Sequence, residues 1–130
     1  MIASGRLYKR EKLCSVTAID TLFDRTGGSV AFTSYPLRVV WRNNGNRKSG
    51  MQFMISVPKK RLRHAVDRVA VRRRVREAYR LGRGVLGDVV DMSLDIAFVY
   101  LADKVLPSPV IHAAMRKALE KVRVANTPTE

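Results

Sequence analysis

Apolar residues recur at helical spacing in three segments of this chain. The first predicted helix spans residues 15–25, and the second spans residues 63–81 and ends before Gly82 and Gly84. Ser108-Pro109 is typical of a helix start, because serine caps the first turn and proline fits the first helical position. The buried stripe predicted for this last helix comprises Val110, Ile111, Ala114, Met115, Ala118, Leu119 and Val122.

Three other segments have the pattern of β-strands. Residues 37–42 alternate between an apolar face and a more basic face, and residues 94–101 are apolar enough to be central in a sheet. The turn sequence Asn43-Asn44-Gly45-Asn46 separates the first strand from residues 52–57 and predicts that these two strands form an antiparallel hairpin. Residues 30–33 are a candidate for one extra edge strand.

The resulting order of helix, two strands, helix, strand and helix predicts an α+β fold. We expect a small sheet of three to four strands packed by three helices. No repeat or linker divides the sequence, so one domain is expected over residues 1–130. Residues 1–14 and 125–130 are expected to be loose, since the C-terminal Asn-Thr-Pro-Thr has no apolar residue to dock.

Charge changes the picture, because the chain is strongly basic. It has 25 Lys and Arg against 11 Asp and Glu, a net charge of +14, and such a field attracts polyanions. Residues 59–83 contain eleven of the basic residues and two acids, and therefore hold +9 of that charge. Nucleic acid is the favoured partner, because each neutralised phosphate releases a counterion. An anionic membrane surface is the competing interpretation.

The second predicted helix gathers its arginines on one side. At about 100° per residue, the basic arc contains Arg72, Arg73, Arg76 and Arg80, and the apolar arc contains Val71, Val75, Ala78 and Tyr79. Arg74 lies outside the basic arc and is expected to be solvated. A merely solvated face would mix acids with bases, but Glu77 is the only acid on this predicted helix after Asp67. We expect this face to bind nucleic acid, since guanidinium groups suit phosphate. A DNA major-groove helix is the weaker alternative, because no helix-turn-helix spacing precedes it.

Other classes of protein have little support in the sequence. The N-terminus lacks the apolar core of an export signal, and no stretch approaches the roughly 20 apolar residues of a membrane span. The single Cys14 cannot form an internal disulfide, so we expect a cytoplasmic protein. His64 and His112 have no Ser or Cys partner at a suggestive spacing. We expect neither catalysis by protein side chains nor a small-molecule cofactor.

The middle of the chain resembles the signature of the bacterial ribonuclease P protein family. Ile55-Ser56-Val57-Pro58-Lys59-Lys60 is similar to the family's strand ending in Ser-Val-x-Lys-Lys. Residues 72–80 are similar to its basic pair followed by Arg-Glu-Ala-aromatic-Arg. The family's Arg-Asn-Arg reads Arg68-Val69-Ala70 here, so only Arg68 carries over. The resemblance covers nearly the whole chain.

The resemblance implies a fold and an activity. The fold would be a mixed sheet with a left-handed crossover between parallel strands, against the ordinary right-handed rule. The activity would be that of ribonuclease P, in which a catalytic RNA with bound Mg²⁺ hydrolyses precursor tRNA and leaves its mature 5′ end. The protein would bind that RNA and hold the 5′ leader in a cleft between the first helix and the sheet.

The same resemblance assigns the site residues. Those expected to bind the catalytic RNA are Lys59, Lys60, Arg61, Arg63, Arg68, Arg72, Arg73, Arg76 and Arg80. Those expected to line the leader cleft, where aromatic rings would stack on single-stranded RNA, are Phe23, Tyr35, Arg38 and Trp41. A non-catalytic ribosomal or general RNA-binding protein is the alternative function, which the lysine pair and residues 76–80 disfavour.

Overall fold

The structure, a computed structural model, describes residues 22–23, 29–43 and 51–126. The strands are β1 (Val30–Ser34), β2 (Leu37–Asn43), β3 (Gln52–Ser56) and β4 (Leu94–Tyr100). The helices are α1 (Ala65–Gly82) and α2 (Ser108–Asn126), and a 3₁₀ segment, Arg83–Asp91, follows α1. This is the expected α+β architecture, and β1 is the extra edge strand. Of the first predicted helix, only Leu22 and Phe23 lie within the described residues, and both are helical.

The four described strands form a mixed sheet in the spatial order β1-β2-β4-β3. The pairings of β2 with β1 and with β4 are antiparallel, whereas β3 pairs with β4 in parallel. The hairpin predicted between residues 37–42 and 52–57 is therefore wrong, because β4 lies between these strands. Six of the seven residues of β4 are buried, and a strand that is apolar on both faces is most stable at the centre of a sheet.

The parallel pairing of β3 with β4 decides where α1 lies. Neighbouring parallel strands need a crossover connection, because a tight turn reverses the direction of the chain and can join only antiparallel strands. α1 lies in that crossover. The left-handed sense of the crossover stays a prediction of the family resemblance.

α1 packs on one face of the sheet through the apolar arc that its sequence predicts. Val71, Val75, Ala78 and Tyr79 are its buried residues. The Tyr79 ring stacks on Phe53 of β3, with centroids 4.3 Å apart, and lies 5.7 Å from the ring of Phe98 of β4. Offset and tilted aromatic pairs of this kind add stabilisation to the area they bury. The same core cluster includes the buried stripe of α2.

The opposite face of the sheet carries a smaller cluster. Leu22, Val40 and Ala97 are buried there, and Met54 packs against them. The Ser29 hydroxyl donates a hydrogen bond to the Leu22 carbonyl at 2.7 Å, which ties this segment to the start of β1. Part of the second face is therefore covered by the chain that precedes the sheet.

α2 differs from its predicted form at both ends. Val110 is 43% exposed and does not join the buried stripe, since it lies about 100° from Ile111 around the helix. At the other end, α2 continues through Ala125 and Asn126, two residues of the segment predicted to be loose. The Asn126 side chain donates to the Val122 carbonyl at 2.9 Å, which satisfies one acceptor of the last turn.

The aromatic packing around Tyr79 predicts a large effect of one substitution. Phe98→Ala is expected to lower the free energy of unfolding by about 3–5 kcal/mol, because a cavity replaces a ring. Phe23→Ala is the control, since its ring is 44% exposed, and it is expected to change stability by less than about 1 kcal/mol. Urea denaturation measures both, and equal losses would contradict this packing.

Candidate nucleic-acid interface

The basic arc of α1 faces away from the sheet. Arg73 and Arg76 are exposed, and Arg72 is half-buried. None of the three forms a hydrogen bond or ion pair with the part of the chain that the structure describes. Their guanidinium donors are therefore free to turn towards a phosphate group.

The loop between β3 and α1 extends this arc with four more cations. Lys59, Lys60, Arg61 and Arg63 are all exposed. The Pro58 carbonyl closes the turn by accepting hydrogen bonds from the amides of Arg61, at 3.0 Å, and Leu62, at 3.3 Å. Leu62 is buried and anchors the loop in the core. We call residues 58–64 the cationic loop, and the loop together with the arc the basic surface.

Arg68 turns back towards the cationic loop. Its Nη1 donates to the carbonyls of Leu62 and Arg63, each at 2.9 Å. The assignment of Arg68 as an RNA contact stays a prediction, but one of its terminal nitrogens is already engaged by the protein.

Two other arginines of α1 bind partners within the protein. Arg80 forms an exposed, two-point ion pair with Glu77, one turn earlier. This hydrogen bonding lowers the pKa of Glu77 and raises the pKa of Arg80. Arg74 donates from Nη1 to the Leu106 carbonyl at 2.6 Å, in the loop before α2. The expectation that Arg74 is merely solvated is therefore wrong, since its guanidinium fixes a neighbouring loop.

Val69 lies inside the basic arc. It stands within about 20° of both Arg76 and Arg80 around the helix. Val69 is 50% exposed and Val66 is 79% exposed, so neither belongs to the core. The position that departs from the family's Arg-Asn-Arg therefore faces outward beside the arginines.

Three of the four residues predicted to line the leader cleft lie on the second face of the sheet, beside it or at its end. Arg38 is exposed and shares its face of β2 with Val40, which packs against Leu22. Phe23 follows Leu22 directly and is 44% exposed. Tyr35 is 64% exposed and lies in the turn between β1 and β2, at the end of the sheet where Arg38 is found.

Trp41 does not belong with these residues. It is three positions from Arg38 along β2 and therefore points to the opposite face. It is 9% exposed and lies in the larger core cluster, so its assignment to the leader cleft is wrong. Arg42 was missed instead: it shares the face of Arg38 and lies directly opposite Asp95 of β4. The alternation of residues 37–42 already predicts that Arg38 and Arg42 share one face and that Trp41 lies on the other.

Two features are absent from residues 22–23, 29–43 and 51–126. These residues contain no group of three or more His, Cys, Asp or Glu side chains placed to hold a metal ion. They also contain no helix that is both long and apolar enough to cross a membrane.

An arginine helix, a cationic loop and a partly covered sheet face together define a nucleic-acid-binding α+β protein. A family model described as Ribonuclease P matches residues 7–123, and the chain belongs to the ribonuclease P protein family. The ribonuclease P protein component of Porphyromonas gingivalis strain ATCC 33277 is 40% identical over 132 residues, which cover 98% of this chain and 93% of that protein. The corresponding protein of strain W83 is 40% identical over 131 residues, with 97% and 88% covered.

Solved structures of more distant proteins share the fold. The RNase P protein of Staphylococcus aureus superposes with a TM-score of 0.70 at 19% identity, over 89% of this chain and 98% of that one. The RNase P protein of Thermotoga maritima superposes with a TM-score of 0.68 at 20% identity, over 86% and 97%. The mixed sheet with its packed helices is therefore the known fold of bacterial RNase P proteins.

The exposed position of Val69 predicts that a polar residue is tolerated there. Val69→Asn is expected to change the free energy of unfolding by no more than about 0.5 kcal/mol. Val71→Asn is the matched control, because Val71 is 0% exposed and a buried, unpaired amide is expected to cost at least about 2 kcal/mol. Thermal and urea denaturation measure both. A similar loss at the two positions would mean that α1 is rotated from its described register.

Proposed function

We propose that this chain is the protein subunit of a bacterial ribonuclease P. It binds the catalytic RNA and the 5′ leader of precursor tRNA, and it supports endonucleolytic removal of the leader to give the mature tRNA 5′ end. The RNA subunit, not a protein side chain, performs the phosphodiester hydrolysis. The observation that carries this proposal is the basic surface formed by the cationic loop and α1, in a chain that belongs to the ribonuclease P protein family.

The basic surface is the part that binds the catalytic RNA in this proposal. Arg72, Arg73 and Arg76 supply guanidinium groups that have no hydrogen-bond or ion-pair partner in the described part of the chain, and the loop supplies four exposed cations that precede them. Each phosphate that they neutralise releases condensed counterions, so binding weakens as salt rises. Arg80 contributes less, because an RNA phosphate must compete with Glu77 for its guanidinium.

The leader of precursor tRNA lies along the second face of the sheet in this proposal. Arg38 neutralises a phosphate there, and the exposed rings of Phe23 and Tyr35 offer stacking surfaces at two positions. Stacking accepts any base, which suits leaders of differing sequence. Arg42 adds a second guanidinium on the same face, and its buried Nε has no hydrogen-bond partner among the described residues.

Magnesium ions belong mainly to the RNA subunit in this proposal. The basic surface offers cations, and the neighbouring acid Glu77 is paired with Arg80, which does not fit a protein-bound Mg²⁺. Mg²⁺ held by the RNA subunit would supply metal-ion activation of water for the hydrolysis. The contribution of this chain is to neutralise phosphates, which reduces the magnesium concentration at which the RNA is active.

A ribosomal or general RNA-binding role is not favoured. A P. gingivalis relative named as a ribonuclease P protein component matches 98% of this chain at 40% identity, so the likeness extends well beyond a basic helix. We place the protein in the cytoplasm, with the catalytic RNA and precursor tRNA as its partners and without membrane contact or a small-molecule cofactor.

Reconstitution tests the proposed function. The protein is added to a bacterial ribonuclease P RNA at low magnesium concentration, and cleavage of a precursor tRNA is followed by gel electrophoresis. We expect stimulated cleavage at the mature 5′ end, and no cleavage by the protein alone. Intact RNA binding without stimulation would instead support the general RNA-binding role.

The placement of Arg38 predicts an effect that depends on the leader. In the reconstituted complex, Arg38→Ala is expected to weaken binding of leader-containing precursor by roughly tenfold, since a charge-assisted contact contributes about 1.5 kcal/mol. Binding of mature tRNA is expected to be unchanged. Arg116→Ala, an exposed arginine of α2 and not of the sheet, is the control. If Arg38→Ala weakens both RNAs equally, the second face does not hold the leader.

A further inference from the structure

We propose that Arg68 is a positioning residue, which holds the cationic loop in its RNA-binding form and acts through the loop cations instead of contacting RNA itself. The proposal rests on the proposed function, because it assigns Arg68 a role within the basic surface.

The cationic loop is electrostatically unfavourable in the free protein. Residues 58–64 contain two lysines and two arginines and no acidic residue. The loop also leads directly into the N-terminus of α1, which carries the positive end of the helix dipole. Repulsion among these charges favours an open loop, so other contacts must keep it closed.

The contacts within the loop are few. The Pro58 carbonyl accepts two backbone hydrogen bonds, and Leu62 is buried. His64, at the N-cap of α1, makes no side-chain capping hydrogen bond. The usual device that fixes the entry of a chain into a helix is therefore absent at this described residue.

Arg68 supplies the missing connection. From the first turn of α1, its Nη1 donates to the carbonyls of two consecutive residues, Leu62 and Arg63, at 2.9 Å each. Hydrogen bonds from a charged donor are stronger than neutral ones, and two acceptors define a direction that one could not. The orientation of this backbone decides where the side chains of Arg61 and Arg63 project.

A loop held in advance binds RNA more tightly than a loose one. An ordered loop loses less conformational entropy on binding, and this gain does not require any additional phosphate contact. Arg72 and Arg76 provide the contrast, because neither binds the described part of the protein and both are placed to bind phosphate directly.

Hydrogen exchange in the free, full-length protein gives the first test. We expect Arg68→Ala and Arg68→Lys to speed hydrogen exchange by roughly tenfold or more at the amides of Arg61 and Leu62, which donate hydrogen bonds to the Pro58 carbonyl. Amides of β4 should not change, which shows that the fold is intact. Arg76→Ala is the matched control and should leave the loop amides unchanged. Unchanged loop exchange in both Arg68 variants would overturn the proposal.

Binding to a bacterial ribonuclease P RNA gives the second test. Arg68→Ala should weaken binding about tenfold and leave the slope of log affinity against log salt unchanged, whereas Arg76→Ala should reduce that slope by about one. Arg68→Lys should fail to restore affinity, although it keeps the charge. A slope reduced by about one in Arg68→Ala, together with rescue by lysine, would make Arg68 a direct phosphate contact and overturn the proposal.

A double-mutant cycle separates the two roles again. In a Lys59→Gln, Lys60→Gln background, the loss caused by Arg68→Ala should shrink, because the groups that Arg68 orients are gone. The loss caused by Arg76→Ala should persist in the same background. Additive losses for Arg68→Ala would contradict a role through the loop. Absence of specific binding by the wild-type protein would count against the proposed function, whereas the exchange experiment would still decide whether Arg68 holds the loop.

Discussion

The arginine helix depends on one group of aromatic contacts. Tyr79 inserts its ring between α1 and the sheet, where it stacks on Phe53 and lies beside Phe98. A helix with arginines one turn apart repels itself and is weakened by that repulsion. Apolar burial on the other side of the helix, through Val71, Val75 and Tyr79, offsets this cost and keeps the arginines aligned on the outer side.

Not every arginine in the basic region has the same role. Arg73 and Arg76 are exposed and form no hydrogen bond or ion pair with the described residues, whereas Arg74 is hydrogen-bonded to the loop before α2. Arg80 forms an ion pair with the Glu77 carboxylate, and Arg68 donates hydrogen bonds to backbone carbonyls. The net charge of the region therefore does not give the number of phosphate groups that it can contact. Some of the guanidinium groups stabilise the structure that presents the others.

Periodicity in the sequence predicts much of this fold, because it reports which residues are buried together. The buried residues of α1 and the strands β2, β3 and β4 follow from spacing alone, whereas the sequence makes residues 30–33 only a candidate for the edge strand β1. The order of the strands in the sheet does not follow from spacing, since β4 comes late in the sequence and still lies between β2 and β3. The hydrogen-bond partners of Arg68 and Arg74 cannot be predicted from periodicity either, because periodicity gives the direction of a side chain but not the atom that it reaches. The position of Trp41 could have been predicted, since the alternation along β2 places it on the face opposite Arg38.

The central position of β4 has a consequence for the order in which the chain can fold. During synthesis, β1 and β2 can pair as soon as both are made, since they are adjacent in sequence. β3 has no such local partner among the described strands, and it can pair only after β4, in the last third of the chain, has been synthesised. Until residues 94–100 leave the ribosome, α1 lacks the Phe98 ring that packs beside Tyr79. A nascent chain therefore exposes its most basic segment before the packing on the other side of α1 is complete, in the immediate neighbourhood of ribosomal RNA.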